Sequence, residues 1–330
     1  MGEPCILYGE LYTKYKSEII KQIESKTDID CSKLKRSKAN DVIIPCSGET
    51  AVDIATARCV PFDNILFGGD LNVISLHKYD GAFMSYQLNG KRKYDIARVA
   101  QGVSVVHLYG DHLKAIKTYN PTLPEQQKIA KLLSLLDERI ATQNKIIEKL
   151  ETLIKGIIET VISSQKPNTF IKNCLECDSS TLQESQVAEN GAYPVYGATG
   201  INGYTETADV NGEAILITKD GSGVGTVKFA DGEYSYIGTL NRLIAREGYC
   251  LKYLYFALQG FYFEPYKTGM AIPHIYFKDY GKAKIFCPTI EEQSIIAKSL
   301  SVIENKISVE KQILFCNQLQ KSYLLSQMLI

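Results

Sequence analysis

A chain of 330 residues, 45% hydrophobic and 22% charged, has enough apolar material for two cores and is neither a fibrous repeat nor a disordered tail. Its 37 basic and 37 acidic side chains cancel, which excludes a uniformly basic DNA-coating protein and requires any positive surface to be local. Nine scattered cysteines, an odd number, suit reduced thiols better than a disulfide framework.

The chain starts Met1-Gly2-Glu3-Pro4-Cys5, without the basic and apolar regions of a secretion signal, and no apolar run approaches the roughly 20 residues of a membrane span. A cytoplasmic protein is expected. Short apolar runs bounded by turn residues follow, among them Val42-Ile43-Ile44 and Ile65-Leu66-Phe67, and they predict strands with hairpin loops. Local positive charge comes from Lys33-Leu34-Lys35-Arg36-Ser37-Lys38 and from Lys91-Arg92-Lys93. After Gly102-Val103-Ser104-Val105-Val106-His107 and Pro121, apolar residues recur at three- and four-residue steps from residue 125 to about 163: Ile129, Leu133, Leu136, Ile140, Ile147, Leu150, Ile154, Ile158 and Val161. That spacing predicts an amphipathic helix roughly 55–60 Å long, with Pro124 tolerated in its first turn. A linker, Ser163-Ser164-Gln165-Lys166-Pro167-Asn168, ends it.

The second half repeats this plan. Strands are expected at Ala214-Ile215-Leu216-Ile217-Thr218, Thr226-Val227-Lys228-Phe229 and Lys284-Ile285-Phe286, with a second long helix from residue 291 to 328. Pro121-Thr122-Leu123-Pro124-Glu125-Gln126 lies against Pro288-Thr289-Ile290-Glu291-Glu292-Gln293, and the register then holds without a gap, so that Asp137 faces Glu304 and Ile140 faces Ile307. It also runs backwards: Gly102 falls on Gly269, His107 on His274, Tyr109 on Tyr276, Lys117 on Lys284 and Tyr86 on Tyr253. This is a tandem duplication. The seams of the two helices would satisfy each other as an antiparallel coiled coil; two unrelated surface helices, each on its own domain, are the alternative. The expected fold is therefore α+β: two β-rich domains, 1–120 and 166–287, joined by helices over 121–165 and 288–330, as a pseudo-twofold tandem repeat.

Catalytic motifs are missing. Gly221-Ser222-Gly223-Val224-Gly225-Thr226 lacks the Gly-Lys-Ser/Thr ending of a phosphate loop and lies between strand-like runs. It reads as a flexible hairpin or as one whose backbone approaches DNA. Cys174-Leu175-Glu176-Cys177 has no second ligand pair nearby, so no metal is expected. Neither a nuclease carboxylate set, an amino-methyltransferase motif, a nucleophile elbow nor a zinc-protease helix is found. What remains is a pattern suited to base and phosphate contacts, in which aromatic, amide, hydroxyl and basic side chains mix in loops. The candidate DNA-contacting residues are Lys35, Arg36, Lys91, Arg92, Lys93, Gly102, Ser104 and His107 in the first half. In the second they are Tyr196, Thr199, Asn202, Tyr204, Lys219, Ser222, Arg242, Lys267, Thr268, Gly269 and His274.

The doubled Pro-x-x-x-Glu-Gln followed by a long helix resembles the specificity subunits of Type I restriction-modification enzymes. So do Gly191-Ala192-Tyr193-Pro194-Val195-Tyr196-Gly197-Ala198-Thr199-Gly200-Ile201, Glu213-Ala214-Ile215-Leu216-Ile217 and Gly221-Ser222. The resemblance implies a non-catalytic subunit whose two target-recognition domains each read one half of a bipartite DNA site, with the paired helices as spacer. It also implies docking of two methyltransferase subunits, which carry the S-adenosylmethionine, and of restriction subunits in the full complex. Pro124, Glu125 and Gln126, with Glu292 and Gln293, would then start the docking surface. About twenty-five residues separate the linker from Pro194, but only three precede Pro4 in its matching Gly-Glu-Pro context. The first recognition domain is therefore expected to be shortened, which leaves a silent or truncated cassette as an alternative. A coiled-coil scaffold that binds protein is another, and it suits the neutral charge.

Overall fold

The computed structural model describes residues 2–29 and 34–327. Contacts group them into two units: one takes the described residues up to Lys145 together with those from Lys311 on, and the other is Ile146–Glu310. Each long helix therefore contributes to both units.

In the first unit, β1 (Glu3–Ile6) lies antiparallel to β2 (Ser25–Thr27) and parallel to β6 (Leu66–Phe67). A second sheet has β3 (Asp41–Pro45) between β5 (Arg58–Val60) and β7 (Leu71–Ile74), and β4 (Ser47–Gly48) pairs β8 (Val106–His107). All five residues of β3 are buried, because alternate side chains enter two cores. Val42 and Ile44 pack with Ile54, Met84, Leu88 and Ile96, whereas Ile43 packs with Ile6, Leu11, Ile20 and Phe67. Short helices α1 (Glu10–Thr13), α2 (Ala51–Ile54), α4 (Lys93–Val99) and α5 (Gly110–Lys114) connect the strands. The helix α3 (Gly81–Asn89) is capped by Asp80, whose side chain accepts from Phe83 N–H.

The second unit repeats the design with more strands. One sheet runs β10 (Leu175–Ser179), β17 (Leu240–Ala245), β14 (Ala214–Thr218), β15 (Val227–Ala230); another runs β12 (Gly200–Thr205), β11 (Tyr193–Gly197), β16 (Glu233–Tyr236), β13 (Val210–Asn211). A small pair joins β9 (Thr169–Phe170) to β18 (Lys284–Ile285), and α7 (Ile171–Cys174), α8 (Leu251–Gln259) and α9 (Phe277–Tyr280) complete the unit. Like β3, β14 is buried throughout: Ile215 and Ile217 enter one core, Ala214 and Leu216 the other. The strand β10 has no counterpart on the far edge of β7 among the described residues. Instead the first unit carries a long connection between β1 and β2, where Ile20 N–H donates to Cys59 C=O and Cys59 N–H to Glu18 C=O along β5.

The expected long helices are α6 (Leu123–Ile157), which continues as a π-helical turn over Ile158–Ser163, and α10 (Ile290–Gln327). Met328, the expected end of the second helix, lies outside the described residues. In the first unit the start of α6 meets the end of α10: Ala130 and Leu133 pack with Phe83, Tyr86, Leu324 and Leu325. In the second unit the end of α6 meets the start of α10, with Ile154, Ile157 and Ile158 in one core with Ala297 and Leu300. That is antiparallel pairing.

The doubled Pro-x-x-x-Glu-Gln now has a physical reason. Thr122 and Thr289 precede the helices, and their N–H groups donate to Glu125 Oε2 (3.0 Å) and Glu292 Oε2 (3.1 Å), as in a capping box. Gln126 and Gln293 are 1% and 2% exposed. Each donates to the carbonyl of the motif's first proline, Pro121 (2.8 Å) or Pro288 (2.9 Å). Each also accepts the backbone N–H before a buried helix, from Asp80 (2.9 Å) or Cys250 (3.0 Å). These glutamines thus lock α6 to α3 and α10 to α8.

That lock corrects the expected match of Tyr86 with Tyr253. With Asp80 equivalent to Cys250, α3 and α8 stand three residues off the gapless register, and Tyr86 corresponds to Phe256. Tyr253 donates instead to Phe286 C=O (2.7 Å).

The equivalent carboxylates Asp137 and Glu304 show a further divergence. Tyr86 Oη donates to Asp137 (2.6 Å), and Lys321 on α10 bridges Asp137 (2.6 Å) and Glu18 (2.7 Å). In the second unit Tyr255 Oη donates to Glu304 (2.8 Å), and the cation is Lys252 on α8 (2.7 Å). Lys252 also sits 3.9 Å over the Phe229 ring.

Candidate nucleic-acid interface

Each unit presents one loop built to the same plan. In the first, Gln101 and His107 exchange backbone hydrogen bonds of 2.9 and 2.6 Å across residues 102–106; in the second, Thr268 and His274 exchange bonds of 2.9 and 2.7 Å across residues 269–273. Gly102 (φ +123°) and Gly269 (φ +88°) open the loops in a conformation that disfavours side chains. A Cβ at either would collide with the carbonyl oxygen three residues on, Val105 or Ile272. Behind each loop a histidine stacks on a tyrosine, His107 on Tyr109 (6.3 Å between ring centroids) and His274 on Tyr276 (6.5 Å). Buried Leu108 and Ile275 anchor the segments through N–H donation to Cys46 C=O (2.8 Å) and Lys219 C=O (2.9 Å).

In the second unit this loop is tied to the glycine-rich stretch after β14. Gly221 N–H donates to Pro273 C=O (3.0 Å), His274 Nδ1 lies 2.7 Å from Asp220 Oδ1, and Asp220 also pairs with Lys219 (3.0 Å). The structure thus brings together Lys219, Thr268, Gly269 and His274, with Ser222 exposed in the neighbouring turn. Asp220 joins the two segments, and its pairing with His274, 54 positions away, is not visible in the sequence.

A second constellation is the β11–β12 hairpin, which holds Tyr196, Asn202 and Tyr204 in its strands and Thr199 at its turn. Lys228 donates to Ala198 C=O (2.8 Å) and fixes that turn, and Asn202 donates to Glu184 (2.8 Å). Tyr196 packs edge-on against Tyr234.

The basic candidates fare differently. Arg36 pairs with Glu3 (2.7 Å), Arg92 with Asp95 (3.4 Å), Arg242 with Asp178 (3.0 Å) and Lys267 with Glu264. Lys91, Arg92 and Lys93 sit at the start of α4, at the opposite end of that helix from the Gly102 loop. Lys35 and Arg36 lie between β2 and β3 in the chain and alongside β6, where Phe67 N–H donates to Lys35 C=O (2.9 Å). Lys33 lies outside the described residues. Five of the eight basic candidates, Lys219 included, thus face a nearby carboxylate, and surface pairs of this kind contribute little.

Of the docking candidates, Pro124, Glu125 and Glu292 are exposed at the helix starts. Hydrogen bonds from Thr122 hold the Glu125 carboxyl below its usual pKa. Gln126 and Gln293 offer no docking surface, because burial and internal hydrogen bonds occupy them fully. No group of three metal-binding side chains occurs among the described residues, and the Cys174 thiol donates to Ile171 C=O (3.2 Å) inside the core. No described helix is long and apolar enough to cross a membrane.

The family description "Type I restriction modification DNA specificity domain" matches the chain twice, over residues 9–152 and 175–315. The chain belongs to this family. Its two matches fall on the two repeats seen in the fold, and the family is one of non-catalytic DNA-recognition subunits. The Type I restriction enzyme MjaVIII specificity subunit of Methanocaldococcus jannaschii is 23% identical over 320 residues, covering 83% of this chain and 74% of that protein. Among solved structures, a Type I restriction-modification system S subunit from M. genitalium shares the fold, with a TM-score of 0.69 at 18% identity. That match covers 99% of this chain and 92% of that one. A second, from a study of complex assembly and conformational transition of the type I R-M system, has a TM-score of 0.51 at 17% identity and covers 89% and 83%.

Proposed function

We propose that this specificity subunit reads a bipartite, asymmetric DNA site, one half-site per unit, and carries methyltransferase subunits to it. The observation that supports this most directly is the doubled loop. Its glycine, hydrogen-bonded neck and His–Tyr stack are the same in both units, while the side chains at its tip differ. A shared frame with different tips suits two different half-sites read by one kind of domain. The antiparallel helices act as the spacer, and their exposed starts at Pro124, Glu125 and Glu292 form part of the docking surface for two methyltransferase subunits. S-adenosylmethionine binds to those subunits and not to this chain, restriction subunits join the full complex, and the complex works in the cytoplasm.

The test is retention of DNA by the chain mixed with its cognate methyltransferase subunit. Sequence-dependent retention at low salt, weakening as salt rises in proportion to the phosphates contacted, is expected. Retention that ignores sequence would sink the proposal. Adenine methylation mapped in cells with and without the gene then gives the site itself.

A second reading, a recognition unit that is silent in the first half, is favoured by one observation: among the described residues no strand pairs with the far edge of β7, whereas β17 pairs with β10. Methylation mapping decides it, because a silent first unit leaves a site with one specified half.

A further inference from the structure

Four apolar side chains stand in solvent at the tips of the two glycine-framed loops. Val103 is 97% exposed and Val105 53%; Met270 is fully exposed and Ile272 60%. The loop frames hold them there, since the backbone ring between residues 101 and 107, or 268 and 274, leaves the tip nowhere to fold back. An apolar side chain displayed on a rigid, hydrogen-bonded loop gains nothing for folding. It gains on burial against a partner, at about 25 cal/mol per Å².

Resting on the reading above, we infer that these tips are apolar base readers that contact thymine methyl groups in the major groove, Val103 and Val105 at one half-site and Met270 and Ile272 at the other. Two features favour DNA over a protein partner. First, two copies of one docking subunit would meet the same surface twice, and the helix starts are indeed alike, whereas Val103-Ser104-Val105 and Met270-Ala271-Ile272 differ at every position. Different half-sites call for different readers. Second, the tips carry neither charge nor amide, so neither phosphates nor the hydrogen-bonding edges of bases suit the valine, methionine and isoleucine side chains. The C5 methyl of thymine is the apolar feature of a base edge in that groove. The polar parts of the same loops, Ser104, His107, Thr268 and His274, remain for phosphate or base contacts alongside.

The experiment uses the chain in complex with its methyltransferase subunit and duplexes carrying the site obtained by methylation mapping. Each thymine of a half-site is replaced in turn by deoxyuridine, which keeps the base pair and removes only the methyl. At least one replacement per half-site is expected to weaken binding by roughly three- to tenfold. The variant Met270→Ala/Ile272→Ala is expected to bind its half-site as weakly as wild type binds the deoxyuridine duplex, and to lose discrimination between the two bases there. Val103→Ala/Val105→Ala does the same at the other half-site. Assembly with the methyltransferase subunit stays unchanged in both variants.

Wild type indifferent to every replacement, or variants that still discriminate, would overturn the inference while leaving sequence-specific recognition intact. A half-site made only of G·C pairs, or loss of methyltransferase assembly in the variants, overturns it as well. Absence of any sequence-dependent retention brings down the proposed function, and the inference with it.

Discussion

Lys321 carries a largely buried charge shared between two carboxylates of the first unit. Its side chain is 17% exposed and bridges Glu18 and Asp137, themselves 10% and 8% exposed. Lys321→Met keeps the apolar stem but leaves two carboxylates facing each other out of water. Removing one partner of such a buried pair costs about 3–5 kcal/mol. In a unit of this size each kcal/mol lowers the melting temperature by roughly 2–4 °C, so a drop of roughly 6–20 °C is expected in the transition of the first unit. Thermal unfolding followed by circular dichroism measures it, with hydrogen exchange at α3 assigning the transition. Lys114→Met is the control: it removes an ion pair with Asp111 whose side chains are 79% and 87% exposed, and should leave the melting curve unchanged. Adding Glu18→Gln and Asp137→Asn to Lys321→Met should restore more than half of the loss. A Lys321→Met protein melting within about 2 °C of wild type would refute the reasoning. The pH dependence has a definite sign. Burial opposes the charge on Lys321, but Glu18 and Asp137 outweigh it and hold its pKa above the ordinary 10.5. The stabilisation is therefore complete below that value and lost as pH rises through the higher folded one.

Three further outcomes are expected. Gln293→Ala strands the Cys250 N–H and the Pro288 carbonyl in the second unit, costing about 2–4 kcal/mol by denaturant titration; a loss below about 1 kcal/mol would show that the lock between α10 and α8 is not needed. Gly269→Ala forces a side chain against the Ile272 carbonyl, and should abolish sequence-specific DNA retention while the circular dichroism spectrum and assembly with the methyltransferase subunit stay as in wild type; unchanged retention contradicts the role given to that loop. Leu216→Ala, at a residue 1% exposed in the centre of β14, should cost about 2–5 kcal/mol, whereas Ile201→Ala on the exposed hairpin should be close to neutral in the same unfolding assay.

Much of this molecule was legible in its residues, for identifiable reasons. The long helices announced themselves because a seam of apolar residues at three- and four-residue steps has few other uses. The strands β3 and β14 were legible as unbroken apolar runs, although their double-sided burial was not. The helices α3 and α8 escaped notice because they carry no stripe: Phe83, Met84, Ser85, Tyr86, Gln87 and Leu88 are all buried, so the helical period is erased. The motif Pro-x-x-x-Glu-Gln was legible as a signature but misread in part. Its glutamine has the composition of a surface contact and the environment of a core residue, and only the position of the preceding helix reveals that. Ion pairing was likewise hidden. Arg242 and Asp178 are 64 positions apart, and a basic side chain with a distant carboxylate looks free in a sequence. The apolar tips of the two loops were not legible as contacts, because a valine, methionine or isoleucine in a turn carries no hydrogen-bonding group that marks it for DNA.

The sharing of both long helices between the units also has a consequence for synthesis. The second unit is one continuous segment, Ile146–Glu310, and its contacts are all available once that segment has emerged. The first is not: Lys321 reaches Glu18 across 303 positions, so Glu18 and Asp137 wait without that lysine until nearly the whole chain exists. Closing so long a loop is slow. The half translated first is therefore the half completed last, and until α10 arrives the apolar face of α3 and the start of α6 stand open to misassembly.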